Sequence, residues 1–150
     1  MSYFSVSHLI IRSTVVVLSI TLTSALLAQK GAGDVIYEPT PQAAVDEMLR
    51  MANVGKDDFV IDLGSGDGRF VITAAKKFGA RGLGVELDHY LIKQSNETAQ
   101  REGIADRAKF VEEDLFKTDL SRATVLTLYL LPWMNQKLRP KILQLKPGTR

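Results

Sequence analysis

The chain has 150 residues, of which 45% are hydrophobic and 24% are charged, and it contains no cysteine. This composition is typical of one folded domain and excludes a disordered chain, a collagen-like chain, several membrane spans, disulfides and thiolate metal sites. The formal charge of +2 comes from 19 Lys and Arg against 17 Asp and Glu, and the surplus, Arg12 and Lys30, lies in residues 1–33. Residues 34–150 are therefore neutral and lack the basic face that nucleic-acid phosphates require, so we expect no nucleic-acid partner.

An uncharged, largely apolar segment, residues 13–29, follows a weakly basic start and ends in small residues. This layout is typical of a secretory signal peptide. The segment also approaches the shortest helix that spans a bilayer, so an uncleaved membrane anchor, a buried helix and a targeting peptide remain alternatives. We expect a signal peptide or anchor over 1–29, a linker over 30–36 and a folded domain over 37–150.

Helices and strands are predicted to alternate along the rest of the chain. The first helix is expected to start at Thr40 and Pro41, because a hydroxyl at the cap and a proline at the first helical position favour a helix start. Short apolar strands are predicted over residues 59–63, 83–87, 109–113 and 125–131. Further helices are predicted from about residue 69 to Gly79, from about 89 to Gly103, and along the apolar stripe Met134, Leu138, Ile142 and Leu145. This alternation predicts an α/β fold with a parallel sheet covered on both faces.

A glycine-rich loop, Asp62-Leu-Gly64-Ser65-Gly66-Asp-Gly68, joins the first strand to the next helix. Glycines at such a turn adopt positive φ and let the backbone approach a ligand closely. The spacing G-x-G-x-G differs from the dinucleotide fingerprint G-x-G-x-x-G, since Arg69 stands where the third glycine is expected. The loop also lacks the Gly-Lys-Ser/Thr of a triphosphate loop, so it predicts a different ligand.

Three acidic residues lie at the predicted carboxyl ends of consecutive strands, namely Asp62, Glu86 and Asp114. In an open α/β sheet these ends converge on one crevice, where ligands bind. A carboxylate at Glu86 can accept hydrogen bonds from both hydroxyls of a ribose, whereas Asp114 can accept from an exocyclic amine or stabilise its own loop. Three carboxylates without a lysine suit a positively charged ligand. The alternative is that Asp62 and Asp114 are turn or capping residues and that Glu86 is a solvated strand end.

Together, the loop and the spaced acids resemble the class I methyltransferases, which use S-adenosylmethionine, over roughly residues 37–148. The resemblance implies a Rossmann-like three-layer sandwich of seven strands, of which the first four are readable. It implies S-adenosylmethionine as cofactor, with its methionine part held by the backbone of Gly64, Ser65, Gly66 and Gly68. It also implies that Glu86 holds the ribose and that Asp114 lies near the adenine.

A narrower resemblance rests on four segments: Tyr37-Glu-Pro-Thr-Pro41, Asp62–Arg69, Glu113-Asp-Leu-Phe116 and Leu130-Leu-Pro-Trp-Met134. They are similar to the membrane-associated lysine methyltransferases that act on the rotor-ring protein of the ATP synthase (its c-subunit) and on the adenine nucleotide translocase, and to their bacterial relatives. This implies that Tyr37 and Thr40 lie against the cofactor, that the acceptor is a protein lysine, and that residues 13–29 give membrane association.

The residues after the fourth strand bear on the acceptor. Enzymes that methylate an exocyclic base amine carry Asn or Asp before Pro-Pro-aromatic there, whereas this chain has Leu131 before Pro132 and Trp133. This argues against adenine-N6 chemistry. An apolar rim of Tyr129, Pro132 and Trp133 suits the aliphatic stem of a lysine, while the alternative for Trp133 is core packing at a helix start.

The expected reaction is an in-line displacement in which a neutral amine attacks the sulfonium methyl group. Orientation carries most of the rate in such a step, so no catalytic residue is assigned. His8 and His89 are isolated, and no metal site is expected.

The segment Leu145-Lys-Pro-Gly148 looks like the turn before a fifth strand, and the chain ends at Arg150. We therefore expect a fragment of a longer product that contains strands five to seven, and the alternative is that another chain completes the sheet. Alternatives are a truncated chain that binds cofactor or a partner without catalysis, and a small-molecule or RNA methyltransferase. The leader predicts membrane association or export, and because the cofactor is made in the cytosol, a cytosol-facing anchor or organelle targeting is favoured.

Overall fold

The computed structural model describes residues 37–150, so the predicted leader over 1–29 and linker over 30–36 lie outside the described residues. Glu38–Arg150 form one compact unit, which does not include Tyr37. The helices are α1 (Gln42–Met51), α2 (Arg69–Phe78), α3 (His89–Arg101) and α4 (Pro132–Ile142). The strands are β1 (Phe59–Leu63), β2 (Arg81–Glu86), β3 (Ala108–Glu112) and β4 (Val125–Leu128).

The four strands form one sheet in the order β3-β2-β1-β4, and every neighbouring pair is parallel. The predicted α/β fold with a parallel sheet is therefore confirmed. The strand order reverses between β1 and β4, and the carboxyl ends at such a reversal border the crevice in which open α/β sheets bind ligands. Asp62 lies at this point, paired with Gly84 of β2 on one side and with Thr127 of β4 on the other.

Apolar side chains cover both faces of the sheet, which gives the predicted three layers. β1 shows why: Val60 packs in one cluster with Val45 of α1, whereas Ile61 packs in another with Leu138 of α4. A third cluster joins side chains of α2 and α3 to Ala108 and Phe110 of β3. Burial of these residues from water is the main term that stabilises the sandwich.

The helix ends follow from local chemistry. Asp88 caps α3, since its Oδ1 accepts from the backbone N–H of Tyr90 at 2.8 Å and of Leu91 at 3.4 Å. Gly79 ends α2 with φ of 70°, a left-handed conformation that costs a side-chain-bearing residue strain. Both ends lie where the sequence predicted them.

Several boundaries differ from the prediction. α1 begins one residue late, with Pro41 at its cap and no side-chain cap from Thr40, so the predicted helix start is wrong in detail. β4 ends at Leu128 rather than at residue 131, because its partner β1 ends at Leu63 and no strand continues the pairing among the described residues. The chain beyond is free to turn, and α4 then begins at Pro132.

The predicted turn after α4 is present. Thr149 N donates to the Lys146 carbonyl at 3.1 Å, and Gly148 has φ of 91°. Arg150 then donates to the Thr124 carbonyl at 3.0 Å and accepts from Leu126 N at 2.9 Å, which is the pattern of a parallel bridge beside β4. Strands five to seven stay a prediction. Within residues 37–150, no helix is both long and apolar enough to cross a membrane.

Candidate functional site

The glycine loop is packed too tightly for side chains at two of its glycines. Gly64 and Gly68 have φ of 73° and 79°, and both turn the chain from β1 into α2. A Cβ on Gly64 would lie 2.7 Å from Cδ2 of Leu130, and a Cβ on Gly68 would lie 2.6 Å from Cε1 of Phe110. The backbone itself therefore forms the surface at the carboxyl end of β1.

Hydrogen bonds fix this loop to the end of β2. Gly64 N and Ser65 N both donate to the Val85 carbonyl at 2.9 Å, and Gly66 N donates to Oε2 of Glu86 at 3.0 Å. Ser65 Oγ is buried and has no hydrogen-bond partner among the described residues. An unsatisfied buried hydroxyl costs about 1–3 kcal/mol.

Glu86 is held in one orientation. Oε1 accepts from Leu87 N at 2.8 Å and from Asp88 N at 3.2 Å, while Oε2 accepts from Gly66 N. The carboxylate keeps further acceptor capacity for a hydroxyl. It is thus a fixed, half-buried group rather than a solvated strand end. Leu87, which sequence reasoning did not single out, leaves an exposed apolar side chain directly beside it.

Asp62 is buried, with 3% of its surface exposed. Thr127 Oγ1 donates to its Oδ1 at 2.6 Å. Burial raises the pKa of Asp62 to about 7; Thr127 opposes this rise, and the nearby carboxylates Glu86 and Asp67 add to it. Asp62 is therefore not a turn or capping residue but a buried acid at the strand reversal.

Asp114 stabilises its own turn. Its Oδ1 accepts from Phe116 N at 3.0 Å, and its Oδ2 lies 3.6 Å from Lys117 Nζ. This agrees with the alternative in which Asp114 stabilises the loop, and its placement near an adenine stays a prediction.

Arg69, which had no predicted role, links the loop to the segment before α1. Its Nε and Nη2 donate to Asp67 at 2.8 and 2.5 Å, and its Nη1 donates to the Thr40 carbonyl at 2.5 Å. Thr40 is buried, and the hydrogen bond holds its backbone against Arg69. In the sequence, Arg69 was notable only because it stands where the dinucleotide fingerprint has its third glycine. Tyr37 is partly exposed, and its role at the cofactor stays a prediction.

The residues after β4 form an exposed rim. Tyr129 and Trp133 are 58% and 53% exposed, and Leu131 and Pro132 are also exposed. The Trp133 ring lies 6.1 Å from the Phe116 ring, centroid to centroid. Trp133 is thus half-exposed and packs on one side against Phe116, and its role at the acceptor stays a prediction.

The donor set fits S-adenosylmethionine. Two carboxylates, Asp62 and Glu86, suit a cationic ligand with ribose hydroxyls, and the amino end of α2 suits a carboxylate. Ser65 adds a buried hydroxyl without a partner in the described part of the chain. Among residues 37–150, no group of three or more His, Cys, Asp or Glu side chains is placed to hold a metal ion.

Known proteins are similar to this chain in sequence. The chain is 45% identical over 116 residues to a protein-lysine N-methyltransferase of Saccharolobus islandicus, covering 76% of this chain and 72% of that protein. It is 35% identical over 106 residues to the human lysine N-methyltransferase named for the c-subunit of ATP synthase, covering 71% of this chain and 45% of that protein. The chain thus spans about half the length of the human relative.

A solved structure is similar as well. The crystal structure of an RNA methyltransferase from Salinibacter ruber with bound S-adenosyl-L-homocysteine has a TM-score of 0.73 and 54% identity, covering 75% of this chain and 74% of that chain. The family model described as the ANTKMT methyltransferase domain matches residues 62–150. The chain therefore belongs to the ANTKMT methyltransferase family, with a class I fold and S-adenosylmethionine as its cofactor.

Proposed function

We propose that this chain transfers a methyl group from S-adenosylmethionine to the side-chain amine of a protein lysine. The observation that carries the proposal is the exposed, apolar and aromatic rim after β4. Leu131 stands where a base-amine methyltransferase needs an amide or acid acceptor, and it is exposed. The names of the archaeal and human relatives support the same acceptor.

The chain's own residues would bind and orient. S-adenosylmethionine supplies an electrophilic methyl group when bound. The backbone from Gly64 to Gly68 and the amino end of α2 would hold its methionine part, and Glu86 would accept from the ribose hydroxyls. Asp67 is already paired with Arg69 through two hydrogen bonds, so it is poorly suited to act as a general base.

The rim suits a long amphipathic side chain. Tyr129 and Trp133 offer exposed aromatic faces, which attract an ammonium group and cover an aliphatic stem. Lys137 shows this type of contact inside the chain, since its Nζ lies 3.9 Å from the centre of the Phe116 ring. A lysine held here would lose its ammonium proton to water and present the neutral amine as the nucleophile, and orientation would then supply most of the rate.

RNA is the second candidate acceptor, because the 54% identical structure from Salinibacter ruber is described as an RNA methyltransferase. The charge distribution argues against it. Residues 34–150 contain 17 basic and 17 acidic residues, and most of the affinity for RNA comes from neutralised phosphates.

The acceptor is identified by incubating the full chain with tritiated S-adenosylmethionine and separated protein and RNA fractions of a cell lysate. We expect label in protein, recovered as methyl-lysine after acid hydrolysis. Label in RNA alone would overturn the proposal. Binding of S-adenosylhomocysteine without transfer to either fraction would favour a non-catalytic binding chain or a small-molecule acceptor.

A pair of variants ties transfer to the rim. Trp133→Ala is compared with Met51→Ala, which removes an exposed apolar side chain at the far end of α1. We expect only the first to weaken transfer to protein. Equal transfer by both variants would show that Trp133 does not contribute to acceptor binding.

We also propose that the domain faces the cytosol or an organelle interior, where its cofactor is available. The support is the apolar segment over residues 13–29 together with the cofactor requirement. Fractionation of cells that express the tagged chain, with protease protection, tests this. Recovery in the secreted fraction would contradict it.

A further inference from the structure

Thr127 places a hydroxyl beside the buried acid Asp62. It lies on β4, in register with Asp62 of β1, and both side chains are buried. Its Oγ1 is 2.6 Å from Asp62 Oδ1 and 3.4 Å from the Ile61 carbonyl. The sequence pattern placed this residue only within a strand.

The surroundings of Asp62 otherwise disfavour its charge. The charged groups that act on it are Glu86 from β2 and Asp67 from the glycine loop, and both are acidic. The positive charge nearest to Asp67 is Arg69, which already pairs with it. Burial raises the pKa of Asp62 to about 7, and the hydrogen bond from Thr127 opposes this rise.

We propose that Thr127 is a positioning residue for the cofactor, whose hydroxyl keeps Asp62 ionised and oriented at the strand reversal for a positively charged ligand group. A hydrogen bond to a charged acceptor favours the charged form, and the short distance places the donor on one carboxylate oxygen. The other carboxylate oxygen would then accept from the ligand. Valine has the same shape without the hydroxyl and would leave the buried acid without this donor.

The size of the effect follows from the hydrogen bond. Loss of a charge-assisted hydrogen bond raises the titration midpoint of Asp62 by about one pH unit. With a midpoint near 7 in the unchanged chain, the ionised fraction at about pH 7 then falls roughly fivefold. At about pH 8.5 the two fractions agree within about twofold.

The test is calorimetric titration of the full chain with S-adenosylhomocysteine, which keeps the ammonium group of the cofactor, from about pH 5.5 to about pH 8.5. We expect the dissociation constant of Thr127→Val, divided by that of the unchanged chain, to rise as the pH falls. The ligand's own titration cancels in this ratio. Thr127→Ser should restore the ratio to within about twofold at every pH.

Thr73→Val is the matched control, because it also removes a buried threonine hydroxyl, one that accepts from Gln42 Nε2 on the other side of α2. For Thr73→Val, the dissociation constant divided by that of the unchanged chain should be independent of pH. A pH-independent ratio for Thr127→Val, or a serine variant that behaves like valine, would overturn the proposal, since a purely structural role moves no midpoint.

If Thr127→Val does not fold, proton release on binding takes its place. At about pH 7 the unchanged chain should release about half a proton when S-adenosylhomocysteine binds, measured in buffers of different ionisation enthalpy. Thr127→Ser should match it and Thr127→Ala should release more. No release, or equal release by all three, would also overturn the proposal.

This inference rests on the cofactor part of the proposed function, not on the lysine acceptor. Absence of binding at every pH would remove the cofactor assignment itself. If lysine is not methylated but the ratio of dissociation constants depends on pH, only the proposal of a lysine acceptor is overturned.

Discussion

The close approach of Leu130 to Gly64 gives the sharpest test of the glycine loop. In Gly64→Ala, two penalties add: a φ of 73° that an L side chain rarely adopts, and a Cβ placed 2.7 Å from Leu130 Cδ2. Gly103→Ala carries the first penalty alone, because Gly103 has φ of 66° and nothing within 4 Å of the added atom. The pair therefore separates backbone strain from steric overlap.

The magnitudes follow from these two terms. Left-handed backbone strain costs about 1–2 kcal/mol, and reduced freedom of the unfolded chain offsets about 0.4–1 kcal/mol of it in both variants. Overpacking adds about 1–3 kcal/mol, and we expect the lower part of that range because the contacted atom ends a flexible side chain. Gly103→Ala should lower the free energy of unfolding by ~1 kcal/mol and Gly64→Ala by ~2–3 kcal/mol.

Urea unfolding measures both losses, and calorimetry with S-adenosylhomocysteine measures the site. We expect Gly64→Ala to weaken binding about tenfold, or ~1.4 kcal/mol, while Gly103→Ala leaves it unchanged. Adding Leu130→Ala to Gly64→Ala should recover part of the lost stability, since the two residues are in contact. Equal destabilisation by the two glycine variants, with binding intact in both, would refute the packing argument.

Three further outcomes are expected. Glu86→Gln should weaken S-adenosylhomocysteine binding at least about tenfold, as a charge-assisted acceptor is lost, whereas Glu97→Gln on the exposed face of α3 should bind normally in the same titration. Trp133→Ala should raise the KM for a lysine-containing protein acceptor and leave cofactor affinity within about twofold. A change in cofactor affinity alone would contradict the proposal that the rim binds the acceptor. Because the pKa of Asp62 is raised to about 7, the folded chain holds a proton that the unfolded chain has lost above pH ~4, so stability should fall by up to ~1.4 kcal/mol per pH unit from about pH 4 to 7. Urea midpoints should show this slope, and Asp62→Asn should flatten it.

Features decided by neighbours in the chain were predictable from the sequence. The Asp88 cap, the Gly79 helix end and the position of the glycine loop all depend on a few consecutive residues, and the structure has them where expected. The parallel sheet followed from the alternation of strands and helices. Such local signals are strong because backbone conformation at caps and tight turns admits few residue types.

Features decided by partners distant in sequence were not predictable. β4 ends where its partner β1 ends, and the apolar residues of β4 alone do not show how long β1 is. Thr40 has the residue type of a helix cap, yet its carbonyl accepts from Arg69, 29 residues away. Trp133 was ambiguous because a tryptophan after proline suits a buried helix start and an exposed rim equally well. Its burial depends on what lies opposite in the folded chain.

β4 shows how these distant contacts join the two halves of the reaction. Thr127 contacts the buried acid of the cofactor side, and Leu130 packs over the first glycine of the loop. Tyr129, between them, is exposed on the rim proposed for the acceptor. This short segment therefore connects the cofactor loop to the acceptor rim. A shift of the segment by a contact at the rim would move Leu130 against the loop, so acceptor binding and cofactor binding should be coupled. Cofactor affinity measured with and without a lysine-containing acceptor should then differ, and the difference should vanish in Leu130→Ala.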